Sequence, residues 1–172
     1  MVKTLHGSQG KGVRLVNNFQ ELGTLIRELK TQHKPYLIQQ FIEGAGGKDI
    51  RCFVVGDRVI AGMERQAREG DFRANLAQGG KGSPSILNQS QESLALQASK
   101  LLGLRVAGID LIPTGNGYQS LLLEANASPG PKIEEITKRD VIRRIVDEAA
   151  LLAEEAKARK VETTPRELSL IS

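Results

Sequence analysis

The chain has 172 residues, with 24 Lys+Arg against 20 Asp+Glu (net charge +4), 40% hydrophobic and 26% charged residues. This length suits one ordinary domain, or the larger part of one, with room for a sizeable core, in the composition of a soluble globular protein. No run approaches the roughly 18 uncharged apolar residues of a membrane span, and no basic-then-apolar leader opens the sequence.

A cytoplasmic location is therefore the expectation, with no membrane partner. The single Cys52 excludes an internal disulfide and fits a reducing compartment. The basic excess, with a sequence pI near 9.3, favours anionic partners. Trp is absent and aromatics are only 3%, so the stacking platforms used on single-stranded nucleic acid are lacking. A small phosphate-bearing ligand is expected rather than direct contact with nucleic acid.

In chain order, Val2 to Leu5 and Val13 to Val16 read as a hairpin whose tip, HGSQGKG, is rich in glycine. Asn18, with Glu21 three residues on, is an N-cap for a helix to about Lys30. Leu22, Leu25, Ile26 and Leu29 form its apolar stripe. Pro35 closes that unit, and residues 36 to 42, YLIQQFI, read as a strand. Residues 49 to 65 read as two strands joined at Gly56-Asp57, apolar on both faces in the middle, as in a sheet covered on both sides. From Gln66 to Pro84 the apolar periodicity vanishes, which predicts a long functional loop. A helix from about Ser90 ends at Gly103 as its left-handed cap. RVAGIDLI and YQSLLLEAN are the next strands. A last helix, about 139 to 159, turns Ile142, Ile145, Ala149 and Leu152 inward. The order is mixed α+β with several hairpins.

Several residues break the apolar grain. Lys3 interrupts a strand, where an unpaired ammonium is costly. The glycines of the first tip suit close backbone approach to phosphate, or simply a flexible turn. Asp110 sits inside VAGIDLI, and Glu124 and Asn126 share one face of the following strand. Whether Asp110 joins them depends on register. A two-residue Asn116-Gly117 turn opposes Asp110 to Leu123, whereas a tip centred on Gly117, or a bulge, opposes it to Glu124. Facing carboxylates then need a cation between them, or Arg and Lys partners. Oxygen-only ligands point to Mg²⁺. Arg65, Arg68, Arg73 and Lys81 surround an anion or line a solvated basic loop. Cys52 reads as core, and His6 and His33 as incidental.

VKTLHGSQGKGV, then QQFIEGAGGKDIRCFVVGDRVIAGMERQAREGDFRANLAQGG, then VAGIDL and LLLEANASPG together resemble the ATP-grasp superfamily, within it the RimK-like ATP-dependent α-L-glutamate ligases. The resemblance spans about Val2 to Ala158. It implies two small α+β subdomains with antiparallel sheets clamping a nucleotide. Residues 1–44 would be the lid subdomain, 45–160 the core subdomain with the metal site, and 161–172 a tail. Such ligases normally carry a preceding domain and a further lid helix, so the likeness is to their C-terminal portion.

By the same resemblance, Lys3 contacts ATP phosphates under the glycine-rich tip, and the chain around Gln40 and Phe41 reads the adenine edge. Family members commonly have Glu at the position of Gln40. Asp49 falls at a nucleotide contact, the ribose. Arg73 and Asn75 match GDFRxN near phosphates and acceptor, and Arg65 steadies the reacting carboxylate or phosphoryl group. Asp110, Glu124 and Asn126 match the Mg²⁺ ligands, for two ions, with Mn²⁺ as an alternative. The implied reaction is a Mg-ATP-dependent carboxylate–amine ligation through an acyl-phosphate, adding glutamate to a protein or peptide C-terminus. Another amino acid or a small-molecule acceptor is the alternative, as is a nucleotide-binding fragment without catalysis of its own. Relatives often form homo-oligomers.

Overall fold

The computed structural model describes residues 1–6, 12–74, 76, 79–115 and 119–162. Two antiparallel sheets organise them. The smaller contains β1 (Val2–Thr4), β2 (Val13–Arg14) and β3 (Tyr36–Ile38) in the order β2-β1-β3. Helix α1 (Phe19–Thr31) covers one side of it. The Asn18 side chain accepts from the Glu21 backbone N–H at 2.8 Å and starts that helix as the sequence predicts. Leu25 and Leu29 then bury themselves against Val2. Because Val2 faces the helix, Lys3 faces the opposite side of the sheet.

The larger sheet holds β4 (Lys48–Val55), β5 (Arg58–Gln66), β6 (Lys81–Pro84), β7 (Val106–Pro113) and β8 (Ser120–Asn126), in the order β6-β5-β4-β7-β8. Gly56 makes the β4–β5 turn with φ +63°, a conformation that costs glycine nothing sterically. Cys52 and Val54 pack on one face with Ile109, Leu111 and the buried alanines of α2 (Gln89–Leu101). A reciprocal capping box between Asn88 and Gln91 fixes the start of α2. Phe53, Val55, Ala61 and Met63 pack on the other face under Ile133 and Val141. Those two residues belong to α3 (Lys132–Thr137) and α4 (Val141–Glu162). The doubly apolar strand expected for 49 to 65 is thus covered on both sides.

Three expectations are revised. The third strand stops at Ile38 rather than residue 42; Gln39 donates its N–H to the Met1 carbonyl at 3.0 Å, and 39–42 becomes a link between the sheets. The predicted loop from Gln66 to Pro84 ends in β6, which pairs along β5 from Gln66 to Met63. A strand reading KGSP has no apolar signature, because pairing with an existing edge defines it. In α4, Val141 is buried while Ile142 and Ala149 are exposed and Ile145 and Leu152 are half-buried. The inward stripe is therefore offset from the one predicted. Among the described residues no helix is long and apolar enough to cross a membrane.

Candidate functional site

The face of the large sheet carrying Phe53 and Met63 is divided. Its other end is charged, and pairing register explains why. Asp49 on β4 lies directly opposite Arg65 on β5, and Arg51, two residues along, lies opposite Asp110 on β7. With a side-chain period of two, all four share this face.

A bulge places the fourth strand's contribution. Next to the β7–β8 loop, Pro113 pairs with Ser120, Ile112 with Leu121 and Leu111 with Leu122. One more regular step would oppose Asp110 to Leu123. Instead the register shifts between Asp110 and Leu111, and Asp110 opposes Glu124. The extra residue on β8 returns Glu124 and Asn126 to the charged face. The loop tip itself, 116–118, and the turn type expected there lie outside the described residues.

Asp110, 1% exposed, is gripped in a fork by Arg51: Nε donates to Oδ1 and Nη2 to Oδ2, both at 2.7 Å. Arg65 reaches the same carboxylate, Nη2 to Oδ2 at 2.8 Å, and holds Asp49 in a second fork at 2.6 and 2.7 Å. Lys3 arrives from the small sheet and its Nζ donates to Glu124 Oε2 at 2.5 Å. Asn126 Nδ2 donates to Glu124 Oε1 at 3.2 Å and lies 3.5 Å from Asp110 Oδ2. Three carboxylates and three bases thus form one electroneutral cluster spanning both sheets.

Electrostatics differ along this cluster. Burial pushes Asp49 up to about 6 against the opposing pull of Arg65. Burial works against charge on Arg65 too, yet its bonds to Asp49 hold it above the ordinary guanidinium range. At Glu124 burial is outweighed by the Lys3 hydrogen bond and charge, which hold the carboxyl below its ordinary value. Cys52 lies on the other face, where burial pushes its thiol up to about 12. It is an inert core residue, as expected.

At Asp110 and Glu124 the carboxylates converge, and each has a basic partner, the second of the two alternatives stated for them. The donor set also suits a hard cation. Two carboxylates and an amide converge, and half a turn of the Asn126 amide presents Oδ1 instead of Nδ2. Among the described residues no group of three His, Cys, Asp or Glu could hold a metal, so the remaining ligands would be water and phosphate oxygens, as Mg²⁺ prefers.

The other expected residues sit around this centre. Gln40 is exposed on the 39–42 link, and neighbouring Gln39 has a buried Oε1 with no hydrogen-bond partner among the described residues. The Phe41 ring meets Phe72 edge-on at 5.6 Å, tying the link to the loop after β5. Arg73 is forked onto Asp71 at 2.9 and 2.8 Å, with its guanidinium 5.9 Å from the Phe72 ring centroid. That pairing holds the Asp71 carboxyl below its ordinary range. Asn75 and the tip residues Gly7 to Lys11 lie outside the described residues. Arg51 was missed. Its signal was the one that exposed Lys3 and Asp110, a charge breaking an apolar strand. Gly108 belongs with it: a Cβ there would lie 3.0 Å from Pro129 Cβ and 3.5 Å from Arg51 Nε.

A family model, the RimK-like ATP-grasp domain, matches residues 1–149. The probable alpha-L-glutamate ligase of Alkalilimnicola ehrlichii is 43% identical over 167 residues, 96% of this chain and 54% of that protein. Its namesake in Legionella pneumophila (strain Corby) is 44% identical over 148 residues, 86% of this chain and 48% of that protein. The chain thus spans about half the length of the curated relatives it matches. Among solved structures, D-alanine–D-alanine ligase from Bacillus anthracis complexed with ATP superposes with TM-score 0.67 at 18% identity, over 90% of this chain and 53% of that one. The ATP-grasp ligase PsnB, complexed with a phosphomimetic variant of minimal precursor, Mg and ADP, gives 0.58 at 22%, over 88% and 45%. At such identities the likeness speaks for the fold, which is the α+β ATP-grasp fold expected from the sequence.

Proposed function

The chain belongs to the RimK-like ATP-grasp family, and from that premise we propose that it is the nucleotide- and metal-binding module of an ATP-dependent carboxylate–amine ligase. The observation that carries this reading is the charged cluster closed between the two sheets by Lys3 and Glu124 at 2.5 Å. Residues 1–44 act as lid and 45–160 as core. Gln40 and Phe41 on the link meet the adenine edge, where the orphaned Gln39 Oε1 awaits a donor. Lys3 takes the phosphates, with Arg73 and Asn75 near them, and Asp49 stands on the ribose side. Asp110, Glu124 and Asn126 hold Mg²⁺, which when bound offsets phosphate charge.

The chemistry follows from these placements. A substrate carboxylate oxygen attacks the γ-phosphorus as its bond to the ADP oxygen breaks, giving an acyl-phosphate. Arg65 steadies the carboxylate or the transferring phosphoryl group, in a site where the charge of Arg51 is already fixed by Asp110. An amine nitrogen then attacks the acyl carbon, the C–O bond breaks with its electron pair going to the departing phosphate, and the proton lost from the nitrogen passes to phosphate or water. No nucleophilic side chain is needed, in keeping with the inert Cys52. The relatives' shared name, probable alpha-L-glutamate ligase, favours glutamate as the amine donor, and a protein or peptide C-terminus suits the acceptor role.

Calorimetry with Mg-ATP, followed by ADP release with glutamate and an acidic peptide against a panel of amino acids, tests the reading. Expected are ATP binding and glutamate-dependent ADP release. Turnover with another amino acid removes the glutamate assignment. Binding without any turnover makes this a nucleotide-binding module. Absence of Mg-ATP binding overturns the proposal.

A further inference from the structure

Arg65 has five N–H protons to place, in a rigid planar fork. Nε–H goes to Asp49 Oδ1 at 2.6 Å. One Nη2 proton goes to Asp49 Oδ2 at 2.7 Å. Nη2 also lies 2.8 Å from Asp110 Oδ2, in an ion pair. Among the described residues nothing accepts from Nη1, so its two protons remain for a ligand. This division is possible only if the guanidinium plane is fixed. Asp110 alone does not fix it, because a single contact through Nη2 leaves the group free to swing. The two-point fork from Asp49 does. Asp49 and Arg65 are 6% and 7% exposed and sit opposite each other on neighbouring strands, so the pair rests on rigid elements.

We propose that Asp49 is a positioning residue that acts on the reaction through Arg65, holding its guanidinium so that Nη2 braces Asp110 and Nη1 faces the reacting groups. The inference rests on the ligase reading for what Nη1 meets, and it goes beyond that reading in giving Asp49 a role other than nucleotide contact. A ribose contact and this role are separable, because the first sets ATP affinity and the second sets turnover at saturating ATP.

The test uses Asp49→Asn, which keeps the size of the side chain and one acceptor but loses the charged fork, with Asp49→Glu as the conservative partner. In the nucleotide-free protein, ¹⁵N spectra should show a slowly exchanging Arg65 Nε–H, assigned by its loss in Arg65→Lys. That signal should vanish in Asp49→Asn, and a thermal melt identifies any variant that has simply unfolded. With Mg-ATP, Asp49→Asn should lower kcat at saturating ATP about 10–100-fold, the range for groups that orient a reacting side chain, and by more than any change in the calorimetric Kd that loss of a ribose contact brings. Double substitution with Arg65→Lys should then cost no more than Arg65→Lys alone. Survival of the Nε–H signal in Asp49→Asn overturns the proposal, as do a loss of ATP affinity equal to the loss of kcat and additive kinetic effects. Asp49→Glu decides in the same way: partial return of signal and kcat together supports the proposal, and return of kcat without the signal overturns it. The spectroscopic arm needs neither nucleotide nor turnover, so its failure is distinguishable from failure of the ligase reading.

Discussion

One face of the five-stranded sheet carries two solutions to burial side by side. Toward the β4–β5 turn, Phe53, Val55, Ala61 and Met63 are covered by Ile133 and Val141. Toward the small sheet, Asp49, Arg65, Arg51 and Asp110 are almost equally enclosed. The apolar half gains from every square ångström removed from water. The charged half must recover a large desolvation cost through paired geometry, and such pairs are seldom the most stable filling for a core. A fold that needed only stability would be expected to continue Phe53 and Met63 along the strands. The charged half is best explained by what it holds ready for a ligand.

The strongest test removes the residue shared by both guanidinium groups. Asp110→Ala leaves Arg51 and Arg65 enclosed without their common carboxylate, and breaking a buried pair this way costs about 3–5 kcal/mol. Chemical denaturation should show that loss, and Mg-ATP binding should be lost with it. Phe53→Ala sharpens the contrast. It should also cost about 3–5 kcal/mol, from lost transfer energy and the cavity left behind. Yet Mg-ATP affinity measured below the new melting temperature should stay within about threefold of the parent, because the apolar half is covered by Ile133 and Val141 and lies apart from the residues proposed to hold the ligand. If Phe53→Ala weakens ATP binding as much as Asp110→Ala, the two halves are not separate.

A smaller effect separates carboxylates within the charged half. Burial raises Asp49 to about 6 in the folded protein, above the roughly 3.9 of an unfolded aspartate. Folding therefore favours its protonated form. That contribution is complete below pH 4, fades as pH rises through about 6 and is gone above. Arg65, Arg51 and Asp110 are the charged groups facing it. Glu124 runs the other way: its lowered value stabilises the fold above the unfolded glutamate range, and this support is lost as pH falls through the folded value. The unfolding free energy of the parent minus that of Asp49→Asn should fall between pH 4 and 7, by on the order of 3 kcal/mol, then level off. A flat difference across that range would show that Arg65 fully offsets the burial of Asp49.

The sequence shows the fold's long apolar elements and most residues of the charged cluster, and its silences have physical causes. Asp110, Glu124 and Lys3 stood out because charge inside an apolar strand needs a reason. Their convergence did not, since it depends on the register reset in β8, and a bulge leaves no mark in local composition. KGSP forms β6 only because β5 offers an edge. The helix stripe in α4 was misplaced because two stripes of similar hydrophobicity compete, and contact with the sheet chooses the one through Val141. Arg51 was legible by the same rule as Asp110 and was passed over. That Asp49 lies opposite Arg65 also follows from a regular hairpin at Gly56-Asp57 only after the irregularity between Phe53 and Val54 is included.

The mildest change tests whether the link between the sheets is structural or functional. Lys3 and Glu124 form the ion pair with 33% and 37% of their side chains exposed, so water screens it and it should add little to folding. Lys3→Met keeps the length and packing of the stem while removing the charge. The melting temperature should therefore move by no more than a few degrees. Mg-ATP affinity should fall about tenfold, the equivalent of one charge-assisted contact to phosphate, and the loss should shrink as salt is raised. If the variant melts much lower with unchanged affinity, Lys3 is a strut between the sheets and the phosphate role passes elsewhere. If affinity falls and the fold does not notice, the charged half owes its composition to its ligand, which is what sets it apart from the apolar half next to it.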